Sequence, residues 1–152
     1  MNNSIEALTA AVKNFNTHLG IISTVNTTGH PESAVVYFSH DDSLNIFFTT
    51  RKNSRKYKNL VQTPTVAFVV YDETTYQTVQ IEGVASTISD PTEQTRLFAT
   101  VVEYATKNDA VPPIDKIGDS EIMFIKITTS WARLGNFELS QKDGIFKEVS
   151  TN

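Results

Sequence analysis

Five of the thirteen lysines and arginines of this 152-residue chain fall within eight positions, Arg51-Lys52-Asn53-Ser54-Arg55-Lys56-Tyr57-Lys58. No Asp or Glu lies between Asp42 and Asp72, so the stretch carries +5 in a chain of net charge −4, and the remainder sums to −9. A cation cluster in an acidic protein is either a solvated loop or a site for something anionic. Leu44-Asn45-Ile46-Phe47-Phe48 reads as a strand running into Thr49 and Thr50. Ser54 then reads as the N-cap of a short helix carrying Tyr57, Leu60 and Val61, which puts Arg55 and Lys56 in the first helical turn. Cations there oppose the helix dipole at about 0.3–1 kcal/mol each. An anion resolves the conflict. Helix-start amides, a hydroxyl and two cations are the groups a phosphate monoester needs.

The elements that must position this turn follow from periodicity. Ile5, Leu8, Val12 and Phe15 recur at helical spacing, so residues 4–16 are expected to be an amphipathic helix, with Asn3 and Glu6 as its capping pair. Strands are expected at Leu19–Val25, Ser33–Phe38, Leu44–Thr49 and Thr65–Tyr71, with turns at Asn26–Pro31 and His40–Ser43. Tyr76–Ile88 reads as a long fifth strand with Val79, Ile81, Gly83 and Ala85 on one face, and Gly83 marks a bulge or barrel corner. Asp90-Pro91-Thr92-Glu93 opens a longer helix with Asp90 as N-cap and a buried stripe of Leu97, Phe98, Val101, Val102 and Ala105. Asn108–Pro113 breaks it. Two more strands are expected at Glu121–Thr128 and Trp131–Leu139, and Asp143-Gly144 closes a hairpin onto Ile145–Val149. Six or seven antiparallel strands with short connections point to a mainly β protein, a small barrel rather than a parallel α/β sheet.

Bulk properties narrow the function. The length suits a single domain over residues 1–152, with one core. There is no cysteine, which excludes thiolate catalysis, disulfides and Cys-ligated zinc. The N-terminus lacks the pattern of a secretory signal, and apolar runs such as Ala67–Tyr71 are far short of a membrane span, so a cytoplasmic protein is expected, with no membrane partner. The acidic balance argues against nucleic acid as partner. His18, His30 and His40 show no metal-ligand spacing, and no metal site is expected; His30 and His40 fall in turns. No Ser-His-acid pattern stands out, and Glu82 and Glu103 read as surface carboxylates rather than catalytic ones.

The order of elements and the residues of the basic turn resemble the pyridoxamine 5′-phosphate oxidase-like family of FMN-binding split barrels, in its small single-domain form. The likeness runs over roughly residues 15–90. It is carried by Leu19–Val25 with Gly29-His30-Pro31, by Ala34–Phe38, by Phe47-Phe48-Thr49-Thr50 through Asn53-Ser54-Arg55-Lys56, Asn59-Leu60 and Thr63–Val66, and by Val79–Ala85. The resemblance implies a split β-barrel with an N-terminal helix, a short helix after the third strand and a longer one after the fifth. It implies FMN as cofactor. Arg55 and Lys56 would neutralise its phosphate and Ser54 and Thr50 would bond to it, while Val36, Tyr37 and Thr49 would lie near the ring. It also implies a homodimer with the flavin site at the interface, where Thr78, Trp131 and Arg133 are the partner's contribution. Ala34 stands where full pyridoxamine phosphate oxidases carry a phosphate-gripping arginine, and a lost charge-assisted bond costs roughly 1.5–3 kcal/mol, or about ten- to a hundredfold in affinity. The Arg- and His-rich C-terminal pattern that reads their substrate is absent, so pyridoxamine phosphate oxidation is not expected.

The expected function is a flavin-dependent oxidoreductase acting on a small-molecule substrate, with nicotinamide-dependent flavin reduction the broadest activity that fits. The alternatives are a non-enzymatic module carrying flavin, deazaflavin or haem, and a single-stranded nucleic-acid binder using the 51–58 cluster with nearby aromatics.

Overall fold

The computed structural model describes residues 4–107 and 121–151. Among these residues seven strands and three α-helices follow in the order α1 (Ile5–Lys13), β1 (Leu19–Val25), β2 (Pro31–His40), β3 (Ile46–Arg51), α2 (Arg55–Gln62), β4 (Thr65–Asp72), β5 (Gln77–Ile88), α3 (Pro91–Lys107), β6 (Ile122–Asn136) and β7 (Phe146–Ser150). The strands pair antiparallel in the order β3-β2-β1-β4-β5-β6-β7, and a further β3–β6 pairing closes the first six into a barrel. The seventh hangs on the outer edge of β6.

Alternation along the strands fills the barrel. Ile22 on β1, Val36 and Phe38 on β2, Phe48 on β3, Phe68 and Val70 on β4, Val79 and Ile81 on β5, and Ile125 and Ile127 on β6 form its core. Leu8, Val12 and Phe15 add the apolar face of α1 and the turn after it. Gly83 shares the buried face of β5 with Val79, Ile81 and Ala85, as the pattern predicts. Its missing side chain is required, because a Cβ there would lie 2.5 Å from the Thr128 carbonyl oxygen. The bulge is here too: Glu82 faces Trp131 but Gly83 faces Thr129, leaving Ser130 as the extra residue.

Several sequence expectations are corrected. The N-cap of α1 is Ser4, whose Oγ accepts from the Ala7 amide at 3.4 Å; Asn3 lies outside the described residues. The helix ends at Lys13 rather than residue 16. β2 extends to His40, so that histidine ends a strand rather than sitting in a turn. The two expected C-terminal strands are one, because Thr129 and Ser130 find partners inside a strand. Thr129 Oγ1 donates to the Leu44 carbonyl at 2.7 Å and Ser130 Oγ to that of Glu82 at 3.1 Å. At this point β6 exchanges its neighbour β3, paired through Ile127, for β7, paired from Trp131. Asp90 caps α3 as expected, accepting from the Glu93 amide at 3.0 Å. Leu97 packs with Phe47, Ile88 and Phe124, but Phe98 of the expected stripe is exposed. Val61 on α2 is exposed as well. The side chains of Val101, Val102 and Ala105, and the helix-breaking segment 108–113, lie outside the described residues.

Candidate functional site

The short helix α2 is fixed from both ends. Ser54 Oγ accepts from the Tyr57 amide at 3.2 Å and pairs with Thr50 Oγ1 at 2.9 Å, tying the cap to the end of β3. Leu60 plugs the core, and the buried Asn59 donates through Nδ2 to Thr24 Oγ1 at 3.1 Å and to Glu32 Oε2 at 2.9 Å. These bonds set the first turn of α2 beside the start of β2. Between them lies a cleft of about 310 Å³ lined by Thr24, Glu32, Ser33, Ala34, Arg55 and Lys56.

Two cations therefore face one cleft, as the sequence predicts, but their states differ. Arg55 is largely exposed and bonds through Nη2 to Glu32 Oε1. Lys56 is half-buried, and among the described residues no carboxylate pairs with it. Burial lowers its pKa from the ordinary 10.5, and the neighbouring positive charge of Arg51 lowers it further. Lys56 is thus a half-buried ammonium in the first turn of α2. A phosphate bound by this ammonium would be held less well as pH rises through the lowered lysine pKa, since only the charged form attracts an anion. Lys56→Arg, which stays charged, should keep alkaline affinity; titrations with FMN at a series of pH values between neutral and strongly alkaline would show whether the two curves separate.

The remaining predicted residues divide into three groups. Thr50 and Ser54 do not line the cleft; they form the helix cap beside it, and Thr50 is buried. Val36 points into the core, so contact between it and a ligand would run through its backbone, and Phe38 rather than Tyr37 is the core aromatic of that pair. Thr49 is half-buried on β3, opposite Phe124. Thr78, Trp131 and Arg133 lie elsewhere, on the outer face of β5 and β6. Arg133 bonds to Gln80 Oε1 through Nε at 2.9 Å, sits 4.6 Å from the Phe146 ring centroid and 5.8 Å from that of Trp131, and pairs with Glu148 at 3.6 Å. Thr78 Oγ1 donates to the Val70 carbonyl at 3.0 Å.

Sequence reasoning missed two carboxylates. Glu32 comes to the basic turn from β2, and Glu121 pairs with Lys52 at 2.9 Å, so Lys52 is not simply solvated. Asn59, Asn26 and Arg55 all bond to the Glu32 carboxyl, in that order of influence, and hold it below the usual carboxylate range. No local signal marks either acid, because both lie far from the cluster in sequence. Among the described residues, no group of three metal-ligating side chains converges, and no helix is long and apolar enough to cross a membrane.

The sequence model of the family described as pyridoxamine 5′-phosphate oxidase matches residues 7–134. The chain belongs to the pyridoxamine 5′-phosphate oxidase family. No curated protein matches the sequence. Among solved structures, the general stress protein 26 of Bacillus anthracis shares 22% identity at a TM-score of 0.65, covering 86% of this chain and 92% of that one. A pyridoxamine 5′-phosphate oxidase-related, FMN-binding protein of Nostoc punctiforme shares 14% at 0.62, covering 96% and 95%. A haem-binding protein of Mycobacterium smegmatis shares 17% at 0.69, covering 99% of this chain and 58% of that one. These likenesses establish the split-barrel fold, with its expected complement of strands and helices.

Proposed function

We propose that this member of the family binds FMN with its phosphate in the cleft between β2 and α2, and acts as a flavin-dependent oxidoreductase on a small substrate. The observation that carries this reading is Lys56, half-buried and without a carboxylate partner among the described residues, facing a cleft that Arg55 also lines. The flavin would supply the two-electron chemistry. The chain would bind the phosphate through Lys56 and Arg55 and shape the polarity around the ring.

We further propose that the protein works as a homodimer and that dimerisation completes the site. Strand register supports this. Val35, Ile21, Val69, Gln80 and Arg133 face one another in one row across β2, β1, β4, β5 and β6. A second row runs Ser33, Ser23, Ala67, Glu82, Trp131. The β2 end of these rows adjoins the cleft at Ser33. The middle is an apolar patch of Leu19, Ile21, Val35 and Tyr71, all exposed. The far end carries Trp131 and Arg133, four strand spacings or roughly 19 Å away along the sheet. The two sets of predicted ligand residues thus sit at opposite ends of these rows. A twofold axis through the patch would bring each cleft to the partner's Trp131 and Arg133, while burying apolar surface. Ile21→Glu should therefore convert the protein to monomer in sedimentation velocity and weaken FMN binding with the cleft untouched. A variant that stays dimeric, or binds FMN normally as a monomer, would refute the shared site.

The direct test is titration of the desalted protein with FMN, following the emission of Trp131, the only tryptophan. Saturable quenching at micromolar or tighter affinity is expected. Absence of binding, with haem or a deazaflavin bound instead, would transfer the cleft to another cofactor.

A further inference from the structure

Glu32 is the acidic residue among those lining the cleft, and it is anchored from three directions. Its Oε1 accepts from Asn26 Nδ2 at 3.2 Å and from Arg55 Nη2, and its Oε2 accepts from the buried Asn59 at 2.9 Å. The side chain is 20% exposed, whereas that of Arg55 is 83% exposed. The carboxylate is thus the fixed member of the ion pair and the guanidinium the movable one. Asn59 belongs to α2 and Asn26 to the turn between β1 and β2, so the carboxylate cannot leave without breaking bonds to both. With Arg55 and Lys56 opposite it, the cleft holds two positive charges and one negative.

A rigid charge of the same sign as the ligand acts in proportion to the ligand's own charge. It repels a phosphate monoester, near −2 at neutral pH, about twice as strongly in free energy as a phosphodiester of charge −1. It leaves a neutral ligand almost untouched. We propose that Glu32 is a specificity-determining residue: a built-in anion that narrows the cleft's preference for doubly over singly charged phosphoryl groups. Ala34 beside it adds no compensating cation, and Glu32, Arg55 and Lys56 are the charged side chains that line the cleft. The proposal rests on the phosphate-binding reading of the cleft, though not on the ligand being a flavin.

The test uses Glu32→Gln, which removes the charge and keeps an acceptor for Asn59, with Glu32→Ser as a second, smaller replacement. Binding of methyl phosphate and dimethyl phosphate at pH 8 is followed by amide chemical shifts of Arg55 and Lys56, and binding of FMN and riboflavin by Trp131 emission. Thermal melts confirm that the variants fold. The expected result is a gain of about tenfold for methyl phosphate and about threefold for dimethyl phosphate. FMN should gain about tenfold and riboflavin should be unchanged. Equal gains for the two phosphates, or weaker binding of both, would overturn the proposal and make Glu32 a scaffold or a hydrogen-bonding ligand group. If neither wild type nor variant binds FMN, the flavin reading fails, while the two phosphate probes still decide the role of Glu32. If the Gln variant does not fold, the Ser variant must show the same ordering or the proposal falls.

Discussion

Replacing Arg55 and Lys56 together by alanine is expected to weaken FMN binding by roughly a hundredfold or more, because each charge-assisted hydrogen bond contributes about 1.5–3 kcal/mol. The same double variant should leave the melting temperature of the ligand-free protein nearly unchanged. Arg55 is mostly exposed, and its ionic partner Glu32 keeps the amides of Asn26 and Asn59. Lys56 is relieved of a half-buried charge next to Arg51. Isothermal titration with FMN and a thermal melt, on the same preparation, separate the two effects. A collapse of the melt with affinity per folded molecule preserved would show that the cations hold α2 in place rather than a ligand. Riboflavin should be indifferent to the change, since it offers these residues no phosphate.

Phe68→Ala should be the costliest single truncation of the barrel, by about 3–5 kcal/mol. Phe68 is almost fully buried and packs edge-to-face on Phe38, with ring centroids 5.1 Å apart. Its ring also lies on Gly20, where an added Cβ would meet Phe68 Cζ at 2.0 Å. At about 2–4 °C per kcal/mol for a chain of this size, the melting temperature should fall by roughly 10 °C. The contact with Gly20 makes the prediction sharper. Gly20→Ala alone should destabilise, since the ring must move, yet in the Phe68→Ala background the new methyl enters vacated space and should cost little. Strong coupling between the two sites in a double-mutant cycle is the expected outcome. Additive effects would mean that the ring and the β1 backbone are not in the tight contact described.

Much of this architecture is written locally. Ser54 and Asp90 are cap residues whose side chains accept helix-start amides, so their neighbours alone identify them. Gly83, isolated in an apolar strand, announces the bulge at Glu82 and Gly83. The basic turn places Arg55 and Lys56 on one cleft because strand, cap and helix follow one another without interruption. What is illegible is set by tertiary pairing. Thr129 and Ser130 look like a break between strands, but their hydroxyls bond to the carbonyls of Leu44 and Glu82 and they stay in β6. Leu44 itself is buried with φ at 58°, a left-handed conformation in the turn before β3 that an apolar residue would not advertise. Glu32 reaches Arg55 across 23 positions. Its sequence neighbours, a proline and a serine at a strand start, say nothing of a cation. The family resemblance puts Val36 near the ring beside Tyr37, yet Val36 is the inward member of that pair.

The way the barrel closes bears on how the chain is made. Leu19 through Ile88 can pair as they leave the ribosome, in hairpins and near neighbours, but β3 and β5 each wait for β6 as a partner. Until residue 136 has emerged, two long strand edges stay unsatisfied, and Phe48 and Ile81 lack β6 beside them. Closure is then a late, long-range event with a high loop-entropy cost, of the kind that makes β topologies slow to fold. A nascent chain stalled before β6 would offer those edges to another chain. The C-terminal third is thus where synthesis commits this protein either to a closed barrel or to association with its own unfinished copies.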